Sequence, residues 1–297
     1  MILRVVKIRT WLYAVLLFFA WGFVMHTTGL LLHEFGGHAL AAVIFGCGIT
    51  GYDLTFFGHG QVHYFRCDRW TDATVLVADW AGLVVTIVAG LGAGLFLLRR
   101  RRDLSPLARL LLAQVAFFFL LGQLGYMVSG GFHDLYDPGR TAKILAAKGV
   151  HVLAWLPALV AYGVTAFVFS RVAIDAFREH FGSRSRLHAL GQLALTLGVA
   201  GLLYFVAFRI ELELRTDMTM KGVAHEAQRI AIVRKTAPPF PIERVMTALG
   251  LAGLGYALVR PVREPTAISS PSPRIVKVVA SAAGVCFLVL LVMIVRR

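Results

Sequence analysis

The chain has 297 residues, 58% of them hydrophobic and only 15% charged, against about a quarter charged in an ordinary soluble domain. Long apolar runs recur along most of its length, which sets aside a soluble enzyme and points to a helical membrane protein. The formal net charge of +14 does not indicate nucleic acid, because the basic side chains sit in short clusters between apolar runs, where anionic lipid accounts for them. The expected location is therefore a multi-pass membrane protein of the cell membrane, with the lipid bilayer as a partner and no nucleic acid.

Three cysteines, Cys47, Cys67 and Cys286, are too few for a disulfide framework or an iron–sulfur site. Cys47 and Cys67 flank one inter-helix segment and can pair if that segment faces an oxidising compartment; a pair of free thiols is the alternative. The first apolar run follows Arg4, Lys7 and Arg9 and continues past signal-peptide length without a small-residue cleavage site, so it is expected to be a retained anchor.

Trp11 to Gly46 is almost uninterrupted apolar sequence. A straight helix of that length would run roughly 54 Å, well beyond a hydrocarbon core of about 30 Å. A break is therefore expected near His26-Thr27-Thr28-Gly29, giving a first helix to about Met25 and a second from about Thr28 to Phe45. Ile49 to Arg66 then has short β-prone pieces around Gly58-His59-Gly60, the pattern of a hairpin with a glycine-containing turn. Further helices are expected at Asp79 to Leu98, ended by Arg99 to Arg102, and at Pro106 to Val128. Others follow at Val150 to Phe169, with a kink at Pro157, and at Leu187 to Phe208. Residues 209 to 244 are polar, Val245 to Leu258 is a short glycine-interrupted apolar segment, and Ile275 to Ile294 is a final span. The fold class is thus an all-α polytopic helical bundle with a small β-hairpin between the second and third helices. Three regions follow: a core at 1–140, additional spans at 141–208, and at 209–297 a polar segment, the short apolar segment and the final span.

Within the first apolar run, His33, Glu34 and His38 stand in HEFGGH. Ionisable groups at membrane depth are costly and mark function by default. Two histidines four apart share a helix face and can hold one metal ion, with the adjacent glutamate as general base. Here the spacing is five, which on a regular α-helix separates them by about 140°. Gly36-Gly37 offer a remedy, because a one-residue π-bulge returns residues five apart to one face. Without the bulge the metal site fails. Structural histidines lining a helix interface are the bland alternative.

HEFGGHALAAVIFG resembles the signature helix of the site-2 protease family of intramembrane zinc metalloproteases, whose usual form is HExxH. The resemblance implies that His33 and His38 ligate Zn2+ and that Glu34 is the catalytic base. The soluble dipeptidyl-peptidase III family works with HExxxH, so the longer spacing is compatible with zinc by analogy. The likeness extends to the hairpin and to Ala81-Gly82, where Leu83 replaces the family's proline and Thr86 its asparagine. The family takes a third ligand from an aspartate near an LDG pattern. Asp137, in Leu135-Tyr136-Asp137-Pro138-Gly139, is the closest match, with Asp134 next and His133 as a ligand or supporting partner. Together these imply a zinc-dependent intramembrane endopeptidase acting on membrane-protein substrates. The alternatives are a non-catalytic scaffold or regulator of the same fold, and a metal- or ion-handling membrane protein. Family likeness places the hairpin on the cytoplasmic side, whereas Arg99 to Arg102 and the positive-inside tendency place it outside if residues 11 to 46 make one crossing.

Overall fold

The computed structural model describes residues 8–58, 60–65, 69, 71–133, 135–146, 155–183, 185–215, 242–259 and 273–296. Its first element is a continuous helical rod. Helix α1 (Ile8–Leu31) passes into a π-helical segment (Leu32–Ala39) and then into α2 (Leu40–Ile44). The break expected near His26 to Gly29 is absent. Thr27 is fully buried and Gly29 packs against Phe118 and Phe119, so neighbouring helices hold the backbone helical there. The irregularity falls instead at the histidines. The residues from Trp11 to Ile44 therefore make a single long candidate crossing.

A two-stranded antiparallel hairpin follows, β1 (Ile49–Leu54) and β2 (Gly60–Tyr64), paired Tyr52 to Val62 and Leu54 to Gly60. An isolated hairpin is marginal in water, and this one is tied to helices at several points. Phe56 N and Phe57 N donate to the Glu211 carboxylate, Arg215 donates to Leu54 O, and Tyr52 Oη donates to Met293 O. Of the expected turn residues, His59 lies outside the described residues.

Helix α3 (Asp72–Arg100) starts one turn or more before the expected position, opened by a reciprocal capping box between Thr71 and Thr74. Helix α4 (Pro106–Ala116), a second π-helical segment (Phe117–Gly122) and α5 (Gln123–Phe132) form the next rod, capped by Ser105 with Pro106 in the first turn. A short helix α6 (Tyr136–Ala146) leads towards α7 (Leu156–Phe181). Pro157 lies in the first turn of α7, where its missing N–H removes no helical bond; the expected kink is therefore not formed. The helix ends beyond the expected position at Gly182, whose φ of +65° suits a residue without a side chain.

Helices α8 (Arg186–Leu214), α9 (Ile242–Val259) and α10 (Pro273–Val295) complete the described chain. Among the described residues, seven helical rods are long and apolar enough to cross a bilayer, the short Ile242–Val259 among them. The protein is a multi-pass integral membrane protein, an all-α bundle with one small hairpin. A buried apolar cluster joins α3, α4, the Phe117–Gly122 segment, α5 and α7 around Leu83, Leu97, Leu120, Val128 and Phe169. Large apolar side chains such as Leu187, Val160 and Val278 face outward, as lipid-facing helix surfaces do.

Candidate metal centre

The site begins with a change of helical pitch. From Leu32 to Ala39 the rod is π-helical, and Leu40 N donates to Phe35 O, five residues back. Residues five apart thereby come onto one face, and the Nε2 atoms of His33 and His38 stand 3.1 Å apart. The bulge required by the five-residue spacing is present, and it is longer than one turn. Among the described residues, ligand atoms of His33, Glu34 and His38 all lie within 4.8 Å of one another.

Two glycines let this face meet α3. A methyl group on Gly37 would overlap the backbone of Gly82, and one on Gly82 would stand 2.8 Å from His38 Nε2. At Gly36 the nearest atoms are 3.6 Å away, so of the pair only Gly37 is demanded by close approach. Thr86, expected at the family's asparagine position, turns its hydroxyl back to the carbonyls of Gly82 and Leu83. It does not reach the histidines through that bond.

Asp137 comes from α6, far along the chain. Its Oδ2 lies 3.4 Å from His38 Nε2 and 3.7 Å from His33 Nε2. The circle through these three atoms has a radius of about 2.0 Å, so a single point can lie at about 2.0–2.2 Å from each, the range of zinc–nitrogen and zinc–oxygen bonds. The chemistry of the donor set agrees with that spacing. His38 Nδ1 donates to Ala78 O at 2.7 Å, so in the neutral ring the lone pair is on Nε2, which faces a second imidazole and a carboxylate. Electron-rich atoms that converge this closely in a buried place call for a cation between them. Asp137 lies on α6, outside the spanning helices.

Sequence reasoning overlooked three further groups around the site. Tyr126 Oη donates to Asp137 Oδ2 at 3.3 Å, and its ring meets His33 edge-on. Val62 N, on β2, donates to Glu34 Oε2 at 3.0 Å. The third is the Ala78 carbonyl. Backbone groups leave no trace in residue identity, whereas a tyrosine one helix before Asp137 was open to notice. Asp79, almost fully buried, pairs with Arg140 at 3.0 Å and so ties α3 to α6.

The other acidic-cluster candidates stand elsewhere. His133 Nε2 meets Glu243 Oε1 at 2.7 Å, and Ser129 donates to the same oxygen; this joins α5 to α9 rather than completing the histidine pair. Asp134 lies outside the described residues. Cys47 is disulfide-bonded and Cys286 is free, while Cys67, the expected partner of Cys47, also lies outside the described residues. An apolar cavity of about 770 Å3 lies apart from this site, beside Phe18, His26, Gln114 and Tyr204. None of His33, Glu34, His38 and Asp137 lines it, so cavity size is no guide to this centre.

No protein-family model, no curated protein and no solved structure matches this chain.

Proposed function

We propose that this membrane protein is a zinc-dependent intramembrane endopeptidase acting on membrane-protein substrates. One observation carries the reading: His33 Nε2, His38 Nε2 and Asp137 Oδ2 stand 3.1–3.7 Å apart, with the Glu34 carboxylate beside them. Three protein ligands that leave one position open are the pattern of a catalytic rather than a structural zinc site. His33, His38 and Asp137 would hold the ion, and zinc when bound supplies a Lewis acid that polarises a carbonyl and acidifies a water.

The chain's own groups supply the rest. Glu34 takes the proton of the attacking water and returns it to the leaving amine. The Val62 N–H orients that carboxylate, and the Ala78 carbonyl holds His38 in the tautomer that presents Nε2. Asp137 keeps 22% of its side chain exposed, giving water a way in from the hairpin end. Strand β2 has a partner only in β1 among the described residues, and its other edge passes Glu34. An extended substrate segment pairs along that edge, the mode by which proteins add a peptide strand to a sheet.

The test is cleavage of a panel of membrane proteins by purified protein in liposomes, with metal content measured alongside. Wild type is expected to carry one zinc per chain and to cleave at least one substrate. Glu34→Gln should keep the zinc and lose cleavage by about 100-fold or more. Zinc-loaded, folded wild type that is inert across a broad panel would defeat the peptidase reading. Iron in place of zinc would defeat the choice of metal.

A further inference from the structure

The apolar cavity of about 770 Å3 is walled by α1, the α4 rod with its π-helical segment, α7, α8 and α9. That volume suits one molecule of modest size, since small-molecule pockets run about 300–1,000 Å3. No charged side chain stands among the described residues that line it. Its polar side chains include His26, Gln114 and Tyr204. His26 Nε2, Tyr204 Oη and both amide atoms of Gln114 are buried with no hydrogen-bond partner among the described residues. Buried polar groups are nearly always paired, so unpaired ones on a cavity wall point to a partner that the chain does not supply.

These side chains stand at one level of the bundle. The rings of His26 and Tyr204 meet edge-on with centroids 5.7 Å apart. Trp21 Nε1 donates to Leu111 O, and Gly29 packs against Phe118 and Phe119. The α4 rod therefore runs beside α1 and brings Gln114 to within about one helical turn of the level of His26. That level is near the middle of the Trp11–Ile44 crossing, where hydrocarbon offers a polar group no partner. A phospholipid keeps its head at the bilayer surface, so it does not bring a polar group to this depth. A carboxylate or an ammonium here would bury a charge that no described lining side chain balances.

We propose that the cavity binds an uncharged single-chain lipid bearing a hydroxyl group, with the hydroxyl held at His26, Gln114 and Tyr204 and the chain lying against Phe18, Phe117 and Leu193. A hydroxyl donates one hydrogen bond and accepts two, and the Gln114 amide and the Tyr204 phenol each both donate and accept. One such group therefore serves all of them without bringing in charge. The site is independent of the peptidase reading, and neither needs the other.

The experiment uses the full chain in liposomes. It is photolabelled with hexadecanol carrying a diazirine in its chain, and with the hexadecane and hexadecanoate counterparts; peptide mass spectrometry locates the label. Wild type should take the alcohol on cavity-lining peptides about tenfold or more over either counterpart, and excess plain hexadecanol should compete it away. A methyl group added at Gly198 or Gly201 of α8 would meet nothing within 4 Å, but only Gly201 lines the cavity. Gly201→Leu should therefore lose the cavity label, and Gly198→Leu should keep it. Gln114→Leu should still be labelled but should no longer distinguish alcohol from hydrocarbon. Without ligand its thermal stability should be no lower than that of wild type, because an unpaired amide is removed. Absence of cavity labelling in wild type, equal labelling by the three probes, preference for the carboxylate, or equal losses in the two glycine variants overturns the proposal.

Discussion

A methyl group on Gly82 would stand 2.8 Å from His38 Nε2 and 2.9 Å from His33 Cε1, so the smallest substitution at this position acts directly on the candidate ligands. Gly82→Ala is expected to weaken zinc retention by about tenfold or more, because the rings must leave the positions they need. Gly36→Ala, whose added methyl finds its nearest neighbour at 3.6 Å, should change zinc content little. Metal analysis of the two purified variants checks both, and equal loss from each would show that the contact at Gly82 is not what matters. The roles of His33, Glu34 and His38 were open to inference from residue type and order, since ionisable groups in an apolar run need a reason. Ala78 was not, because its contribution is a carbonyl that every residue has. Asp137 was favoured over Asp134 and His133 by its likeness to the family's aspartate pattern, and the structure adds that it lies against the histidines whereas His133 turns to Glu243.

The element that makes the site is the π-helical segment from Leu32 to Ala39. A π-bulge amounts to one residue inserted into an α-helix, so removing that residue restores regular pitch without turning what lies on either side. Deletion of Gly36 is therefore expected to give a regular helix on which the histidines stand four apart and still face Asp137, with zinc retained. Deletion of Ala41, beyond the segment, should instead rotate the start of the hairpin and cost stability. Zinc content and thermal unfolding of the two deletions report the difference, and zinc loss on removing Gly36 would mean that the bulge itself shapes the centre. The five-residue spacing required this irregularity, and glycine composition located it. The expected break at His26 to Gly29 had the weaker basis of polar residues in an apolar run; tertiary packing on Thr27 and Gly29 overrides it. Similarly, the hairpin was visible from β-prone runs and glycine, whereas its supports on Glu211, Arg215 and Met293 come from helices far along the chain.

Across the whole molecule the two ends of the bundle differ in chemistry. One carries Arg99 to Arg102 and the arginines around Asp175, and the other carries the hairpin, Asp137 and the disulfide-bonded Cys47. The positive-inside tendency places the arginine end in the cytoplasm, and a disulfide belongs to an oxidising compartment. With residues 11 to 44 forming one crossing, these two tendencies agree on a metal centre near the non-cytoplasmic face. That orientation is opposite to the one the family likeness implies. In a Cys286→Ser background, a membrane-impermeant thiol reagent on intact cells should label Asp72→Cys and spare Asp103→Cys; the reverse pattern would invert the protein. By itself the sequence determined the membrane class, most of the spans, the hairpin and the identity of the ionisable cluster, because hydropathy, glycine placement and the cost of buried charge are local properties of the chain. Only the tertiary structure decided that Asp137 closes on the histidines, that Gly82 makes room for them, and that distant arginines gather at the opposite rim. Those contacts join residues widely separated in the chain, and packing between helices, rather than any local pattern, brings them within reach.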